Sequence, residues 1–135
     1  MPFKLEIISP DRVVFSENAD FIAVRGCEGE LGILPGHTPL FTKLVPEVLT
    51  VHQGGKQEIV AVMGGFLDVQ PDKVTILTDA AERASEIDVV RAQHAKERAE
   101  MQATKVMDTL TEAALLRAIV RLRAAELIGG ARALR

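Results

Sequence analysis

Apolar and polar positions alternate with a period of two through the first half of the chain, then give way to helical spacing in the second. Phe3, Leu5 and Ile7 fall on one face while Lys4 and Glu6 fall on the other, the pattern of a half-buried strand. Residues 12–15 and 21–24 are short β-branched or aromatic runs, and residues 47–52 set Val48 and Thr50 against Leu49 and Val51. Gln53-Gly54-Gly55-Lys56 predicts a hairpin turn, because paired glycines accept the positive φ of tight primed turns. Residues 59–63 then predict a mostly buried returning strand, and Gly64-Gly65 a bulge or a close backbone contact. Residues 66–69, the turn Gln70-Pro71-Asp72-Lys73, and residues 74–78 complete the set. Short strands punctuated this often point to an antiparallel sandwich or barrel.

Chain breakers mark the change of regime. All six prolines lie at or before Pro71 and eight of the ten glycines at or before Gly65, with neither between Asp72 and Ile128. The second half is rich in Ala, Leu, Arg and Glu, good helix formers, and its length suits two helices. Ser85 and Asp88 have a capping-box spacing, although Asp88 can itself serve as the N-cap. Ala92, Ala95, Ala99, Ala103 and Val106 then trace one narrow helical stripe of small side chains. Thr109-Leu110-Thr111-Glu112 opens a second helix, in which Leu115, Ile119 and Leu122 form a stripe widened by Leu116 and Val120. Gly129-Gly130 predicts its stop. Two such helices joined by a short connection predict an antiparallel hairpin. An alanine seam lets the axes approach but buries little area, at about 25 cal/mol per Å², so the hairpin is expected to be marginally stable and able to open.

The chain has 135 residues, 47% apolar and 26% charged, the range of an ordinary soluble globular domain. No apolar run approaches the roughly 20 residues that span a bilayer, and the first residues, Met1-Pro2-Phe3-Lys4-Leu5, resemble neither a secretory signal nor a transit peptide. The single cysteine, Cys27, excludes an internal disulfide and a Cys-rich metal site, and the cytosol is the expected compartment. A net charge of −3 argues against nucleic acid as a partner. That charge is divided: residues 1–84 carry seven Lys/Arg against twelve Asp/Glu, and residues 85–135 nine against seven. An acidic body with a basic tail suggests that the tail docks on something acidic.

Catalysis is not expected. His37, His52 and His94 fall on a loop, a strand and a helix without metal-site spacing. Cys27, between Gly26 and Glu28 in an acidic loop, has no adjacent cation to activate it. Phosphate-cradling glycine loops are absent. The helical half carries a different possibility. Asp88, Arg91 and Arg98 fall within roughly 80° of arc on the first helix, and Arg117 and Arg121 share a face of the second. If those faces fold together, four guanidiniums and one carboxylate converge over an alanine floor. Arginine forks match phosphate oxygens, and a carboxylate accepts from a base or a ribose hydroxyl. The same residues would serve as well on a solvated face laced with helix salt bridges.

Gly29-Glu30-Leu31-Gly32-Ile33-Leu34-Pro35-Gly36-His37-Thr38-Pro39-Leu40 resembles the signature loop of the epsilon subunit of bacterial F-type ATP synthase. Gly64-Gly65-Phe66-Leu67-Asp68-Val69, followed by Val74-Thr75-Ile76-Leu77-Thr78-Asp79-Ala80-Ala81-Glu82, resembles the same family's last strands, and the similarity runs through the two-helix end. The resemblance implies an α+β fold: an N-terminal antiparallel β-sandwich of about ten strands over residues 1–84 and a regulatory helical hairpin over 85–135. It implies a non-catalytic rotor subunit in the central stalk, peripheral to the bacterial cell membrane on its cytoplasmic side. The sandwich would bind the gamma subunit and the ring of c subunits, which Glu28, Glu30, Leu31 and Gly32 would face. The hairpin would lie folded or reach up to the alpha and beta subunits, blocking ATP hydrolysis. Some members bind ATP as a regulatory ligand through an I-D-x-x-R-A motif and further arginines. Here the matching residues are Glu82, Ile87, Asp88, Arg91, Ala92, Arg98, Arg117 and Arg121. No catalytic cofactor is implied, and participation of Mg²⁺ is left open. The connection between the helices is shorter than the family pattern. A free-standing ATP sensor or an adaptor without a rotor role is the alternative.

Overall fold

The computed structural model describes residues 2–103 and 109–133, with side chains at 2–102 and 109–127. Eight strands come first: β1 (Phe3–Ile8), β2 (Val13–Ala19), β3 (Phe21–Gly26), β4 (Gly29–Ile33), β5 (Leu40–Gln53), β6 (Lys56–Val69), β7 (Lys73–Leu77) and β8 (Ala81–Arg83). A 3-10 turn at Ala84–Glu86 leads to α1 (Val89–Ala103) and α2 (Thr109–Ala133). The strands run in the order β2-β1-β7-β6-β5-β3-β4, with β8 against β6. All neighbours are antiparallel except β1 and β7, which pair in parallel, a departure from a purely antiparallel sheet. Among the described residues the count is eight rather than about ten.

The difference in count reflects how the chain bends. Residues 59–63 and 66–69 are one 14-residue strand, β6, and residues 47–52 are half of an equally long β5. The two pair throughout in one register, from Leu40 opposite Val69 to Gln53 opposite Lys56. Their inward parity nevertheless changes midway. Val60 and Val62 enter the core from the first part of β6, Leu67 and Val69 from the second; in β5 the inward residues are Leu44 and then Leu49 and Val51. A period-two pattern can only change phase where the strand kinks. Gly64 and Gly65 do this for β6, at φ of 83° and 116°. A Cβ on Gly65 would lie 2.0 Å from the Leu77 carbonyl oxygen, so the predicted close backbone contact is present. The sheet folds over there, and Phe3, Leu5, Ile7, Ile22, Val74 and Ile76 close the core from neighbouring strands.

Gly54 and Gly55 make the predicted tight turn, with φ of 52° and 85°. Gln70 donates its N–H to the Lys73 carbonyl at 2.8 Å in the turn between β6 and β7. Residues 29–33, expected to form a loop, are strand β4, paired to β3 with Gly26 opposite Gly29. Leu31 and Ile33 face inward there while Glu30 and Gly32 are exposed. The alternation is present in the sequence, but its glycines disguise it.

The first part of β6 is buried on both faces. Ile59, Ala61 and Met63 point away from the main core and pack with Ala84 against Val120 and Ala124 of α2. Helix α1 packs principally on α2; its beginning lies beside Arg121, midway along α2, while its end at Ala103 comes shortly before the start of α2 at Thr109, so the two run antiparallel. This position explains a departure from the expected leucine stripe. Leu115 and Leu122 are half-buried and Leu116 and Ile119 exposed, while Thr111, Ala118, Val120 and Ala124 are buried. At 100° per residue, Val120 and Ala124 face one way and Thr111 and Ala118 nearly the opposite way. Helix α2 is thus covered by the sheet on one side and by α1 on the other, where Ala92 and Ala99 are buried. Small side chains line both contacts and the leucines are displaced to the flanks. In the alanine stripe, the side chains of Ala103 and Val106 lie outside those described. Helix α2 continues through Gly129-Gly130 to Ala133 instead of stopping, because helix-forming alanines follow and no proline does.

The glycine bend gives a direct test of this architecture. Gly65→Ala combines a positive φ with a backbone clash and is expected to cost about 3 kcal/mol in urea unfolding followed by far-UV circular dichroism. A loss below about 0.5 kcal/mol would show that the strands separate there at little cost.

Candidate functional site

Three parts of the chain meet where α1 begins. Strand β8 contributes Glu82, the 3-10 turn contributes Glu86, and Ile87 and Asp88 lead into α1, which presents Arg91, Ala92, Ala95 and Arg98. Arg121 of α2 closes the group over a cleft of about 290 Å³. Asp88 is the helix cap: the Arg91 N–H donates to its Oδ1 at 3.1 Å, satisfying one of the free amides of the first turn. Ser85 sits within the 3-10 turn, so Asp88 alone fixes where α1 starts and hence the level of Arg91.

The charges in the cleft are unevenly engaged. Arg121 Nε donates to Glu82 Oε1 at 2.8 Å, with both side chains half-buried, tying α2 to β8. Glu86 Oε2 accepts from both terminal nitrogens of Arg12 at 3.3 Å, and Arg12 Nη2 also reaches the Ala81 carbonyl. Arg91 and Arg98 enter no ion pair among the described residues, so their guanidiniums are available to an anion. The floor is apolar, from Ala92, Ala95 and Ile87. Seven of the eight residues singled out for nucleotide binding, namely Glu82, Ile87, Asp88, Arg91, Ala92, Arg98 and Arg121, therefore line one cleft. Arg117 does not: one turn earlier on α2, it is exposed and outside the lining.

The other predicted contact group lies elsewhere. Glu28 is exposed in the turn between β3 and β4; on β4, Glu30 and Gly32 are exposed and Leu31 packs against the core. Gly32 leaves room for the Phe21 ring, which a Cβ would meet at 3.0 Å. Cys27 is exposed in the same turn. Among the described residues no cluster of His, Cys, Asp and Glu could hold a metal ion, and no helix is long and apolar enough to cross a membrane.

Two features were missed by sequence reasoning. Phe41 and Phe66 stack on the outer face of the sheet, with centroids 5.6 Å apart and planes 14° from parallel, yet they are 66% and 46% exposed. Leu77, also exposed, lies directly opposite Phe66 on β7. Together these side chains form an exposed apolar patch on the sheet; the adjacent apolar pairs Leu40-Phe41 and Phe66-Leu67, one member on each face, are the signal that could have found it. The second is Glu47, 20% exposed, which binds Arg123 of α2 at 2.9 Å and approaches Arg25 of β3 at 3.9 Å. Nothing in the spacing of these three residues announces their meeting.

The ATP synthase Delta/Epsilon chain beta-sandwich domain family matches residues 2–84. The ATP synthase epsilon chain of Desulforamulus reducens is 48% identical over 127 residues, covering 91% of this chain and 96% of the relative. That of Syntrophobacter fumaroxidans is 47% identical over 127 residues, covering 91% and 95%. Among solved structures, a chain of the Euglena gracilis mitochondrial ATP synthase, OSCP/F1/c-ring, matches with a TM-score of 0.68 and 28% identity, over 96% of this chain and 81% of that one. A chain of the Tetrahymena thermophila mitochondrial ATP synthase central stalk and c-ring shares the fold, with a TM-score of 0.61 at 14% identity over 95% and 96%. With the sandwich domain matched over residues 2–84 and relatives nearly half identical over about nine-tenths of its length, the chain belongs to the family of ATP synthase epsilon chains.

Proposed function

We propose that this chain is a non-catalytic subunit of the rotor's central stalk in a bacterial F-type ATP synthase, peripheral to the cell membrane, and that its helical hairpin is a nucleotide-controlled brake on ATP hydrolysis. The stacked Phe41–Phe66 pair with Leu77 offers the gamma subunit an apolar docking face on the sandwich. The β3–β4 turn, with Glu28, Glu30, Leu31 and Gly32, meets basic groups on the polar loops of the c-ring. Released from the sheet, the basic hairpin reaches acidic segments of the alpha and beta subunits.

The observation that carries the regulatory reading is the composition of the cleft. Its walls come from β8, α1 and α2 together, so the site is complete only while α2 is docked. A ligand that binds there must favour the docked posture. ATP suits the lining: Arg91, Arg98 and Arg121 meet phosphates, and Glu82 and Asp88 accept from the nucleoside. Since no cluster of His, Cys, Asp and Glu among the described residues could hold a metal ion, Mg²⁺ accompanying the nucleotide would be held by phosphate oxygens. At a hundredfold excess over Kd, such a ligand stabilises the docked form by about 2.7 kcal/mol. Falling ATP withdraws that stabilisation and frees the hairpin.

Isothermal titration with ATP tests the site: Arg91→Ala and Arg121→Ala are each expected to weaken binding at least about tenfold, roughly the loss of one charge-assisted contact, with the sheet still folded by circular dichroism. Unchanged affinity in both variants would remove the nucleotide from the reading. The rotor assignment has its own test. Phe41→Ser with Phe66→Ser is expected to abolish co-purification with the gamma subunit while leaving ATP affinity unchanged, and full retention of gamma would place its docking face elsewhere.

A further inference from the structure

Arg123, Glu47, Arg25 and Glu30 form an alternating series of charges from α2 across β5 and β3 to β4. Arg123 Nη1 lies 2.9 Å from Glu47 Oε1, and Arg25 Nη1 lies 3.9 Å from Glu47 Oε2. Arg25 stands opposite Glu30 in the β3–β4 register. All four line one groove of about 430 Å³, beside Leu31 and Leu127. Glu47 is also held by a hydrogen bond from the Val48 N–H at 3.0 Å, and Glu30 has no hydrogen bond or ion pair of its own among the described residues. Arg25 thus stands between a fixed carboxylate, which it approaches without a hydrogen bond, and a free one that it opposes across the register.

We infer that this series couples the β3–β4 edge to the helical hairpin, so that whatever engages Glu30 sets how firmly Glu47 holds α2. The physical reason is competition for one carboxylate. While Glu30 is free, its charge competes for Arg25, which stays 3.9 Å from Glu47, beyond hydrogen-bond reach, and Glu47 is left to Arg123. When a basic group of a neighbouring subunit takes Glu30, Arg25 turns fully to Glu47, the field at Arg123 becomes more positive, and the hold on α2 weakens. Seating a basic partner on this edge therefore favours release of the hairpin. This rests on the proposed mobility of the hairpin and adds an input that the nucleotide cleft does not contain.

Hydrogen exchange of the α2 amides in the full chain, without nucleotide, reads the coupling by its signs. Arg123→Gln and Glu30→Gln are expected to speed exchange about two- to fivefold, the scale of one partly exposed ion pair. Arg25→Gln is expected to slow it by a similar factor, and the effect of Glu30→Gln is expected to vanish in the Arg25→Gln background. At 1 M salt, where the screening length is about 3 Å, all differences shrink. Faster exchange in Arg25→Gln, or no change in Glu30→Gln, overturns the proposal. If Glu30→Gln also loosens the sheet amides, the slowed exchange of Arg25→Gln decides, since no loss of fold imitates tightening. An ATP titration of the unaltered chain runs beside this: absence of binding removes the nucleotide reading and leaves the exchange pattern to decide the coupling by itself.

Discussion

The outer face of β6 governs what the rest of this molecule can do. Ile59, Ala61 and Met63 are apolar on the side turned away from the main core, and a strand buried on one face only would leave them in water. Val120 and Ala124 of α2 cover them. The sandwich does not need that cover to close its own core, since Val60, Val62, Leu67 and Val69 already point inward. The helices therefore cover an apolar face that lies outside the main core, the arrangement that the proposed release of the hairpin requires.

Side-chain size sets how favourable that position is. The docked helix uses alanines, one valine and a buried threonine at its two contacts, and its larger residues, Leu116 and Ile119 among them, stay largely exposed. Close approach of small residues gives good packing but removes little apolar surface from water. The ion pairs that join α2 to the sheet, Arg121–Glu82 and Arg123–Glu47, are partly exposed and contribute about 1 kcal/mol or less each. Since no single contact dominates the docking, the two or three kcal/mol of the proposed ligand would be comparable with what holds the helix in place. A leucine-filled seam would bury more apolar area and hold the helices more firmly.

How far the sequence reveals this depends on whether a signal is local. The glycine turn at Gly54-Gly55, the close contact at Gly65 and the cap at Asp88 depend on neighbours within a few residues, and each is legible. The cleft residues were legible because Asp88, Arg91 and Arg98 share one helix face, which periodicity reports directly. Arg117 shares a face with Arg121 by the same rule, but periodicity says nothing about which turn of α2 lies level with the start of α1. A shift of one turn, about 6 Å along the axis, puts it outside. The continuity of β5 and β6 was hidden for a related reason: a bend that reverses inward parity looks, in the sequence, like the end of one strand and the start of another. The buried side of α2 was obscured because a helix covered on two sides has two apolar stripes, which cancel in any single-face pattern. Glu47 with Arg25 and Arg123 depends wholly on tertiary placement.

That placement gives α2 a symmetry of function. Taking the direction of Val120 and Ala124 as facing the sheet, Arg121 and Arg123 project about 80° to either side. Arg121 reaches Glu82 in the cleft, and Arg123 reaches Glu47 in the groove behind β3. The two arginines hold the helix by its opposite flanks, and each carboxylate partner belongs to a different surface of the body. On the proposed reading, a ligand on one flank would add contacts that exist only when the helix is docked, and a partner on the other would redistribute charge around a carboxylate that the helix already uses. The two would act on one docking equilibrium with opposite signs. An exposed leucine or lysine at either arginine position would still permit docking, but one flank would then lose its means of being addressed. In this arrangement the small residues of α2 keep its hold on the sheet modest, and the arginines on either side are the groups through which the proposed ligand and partner would address it.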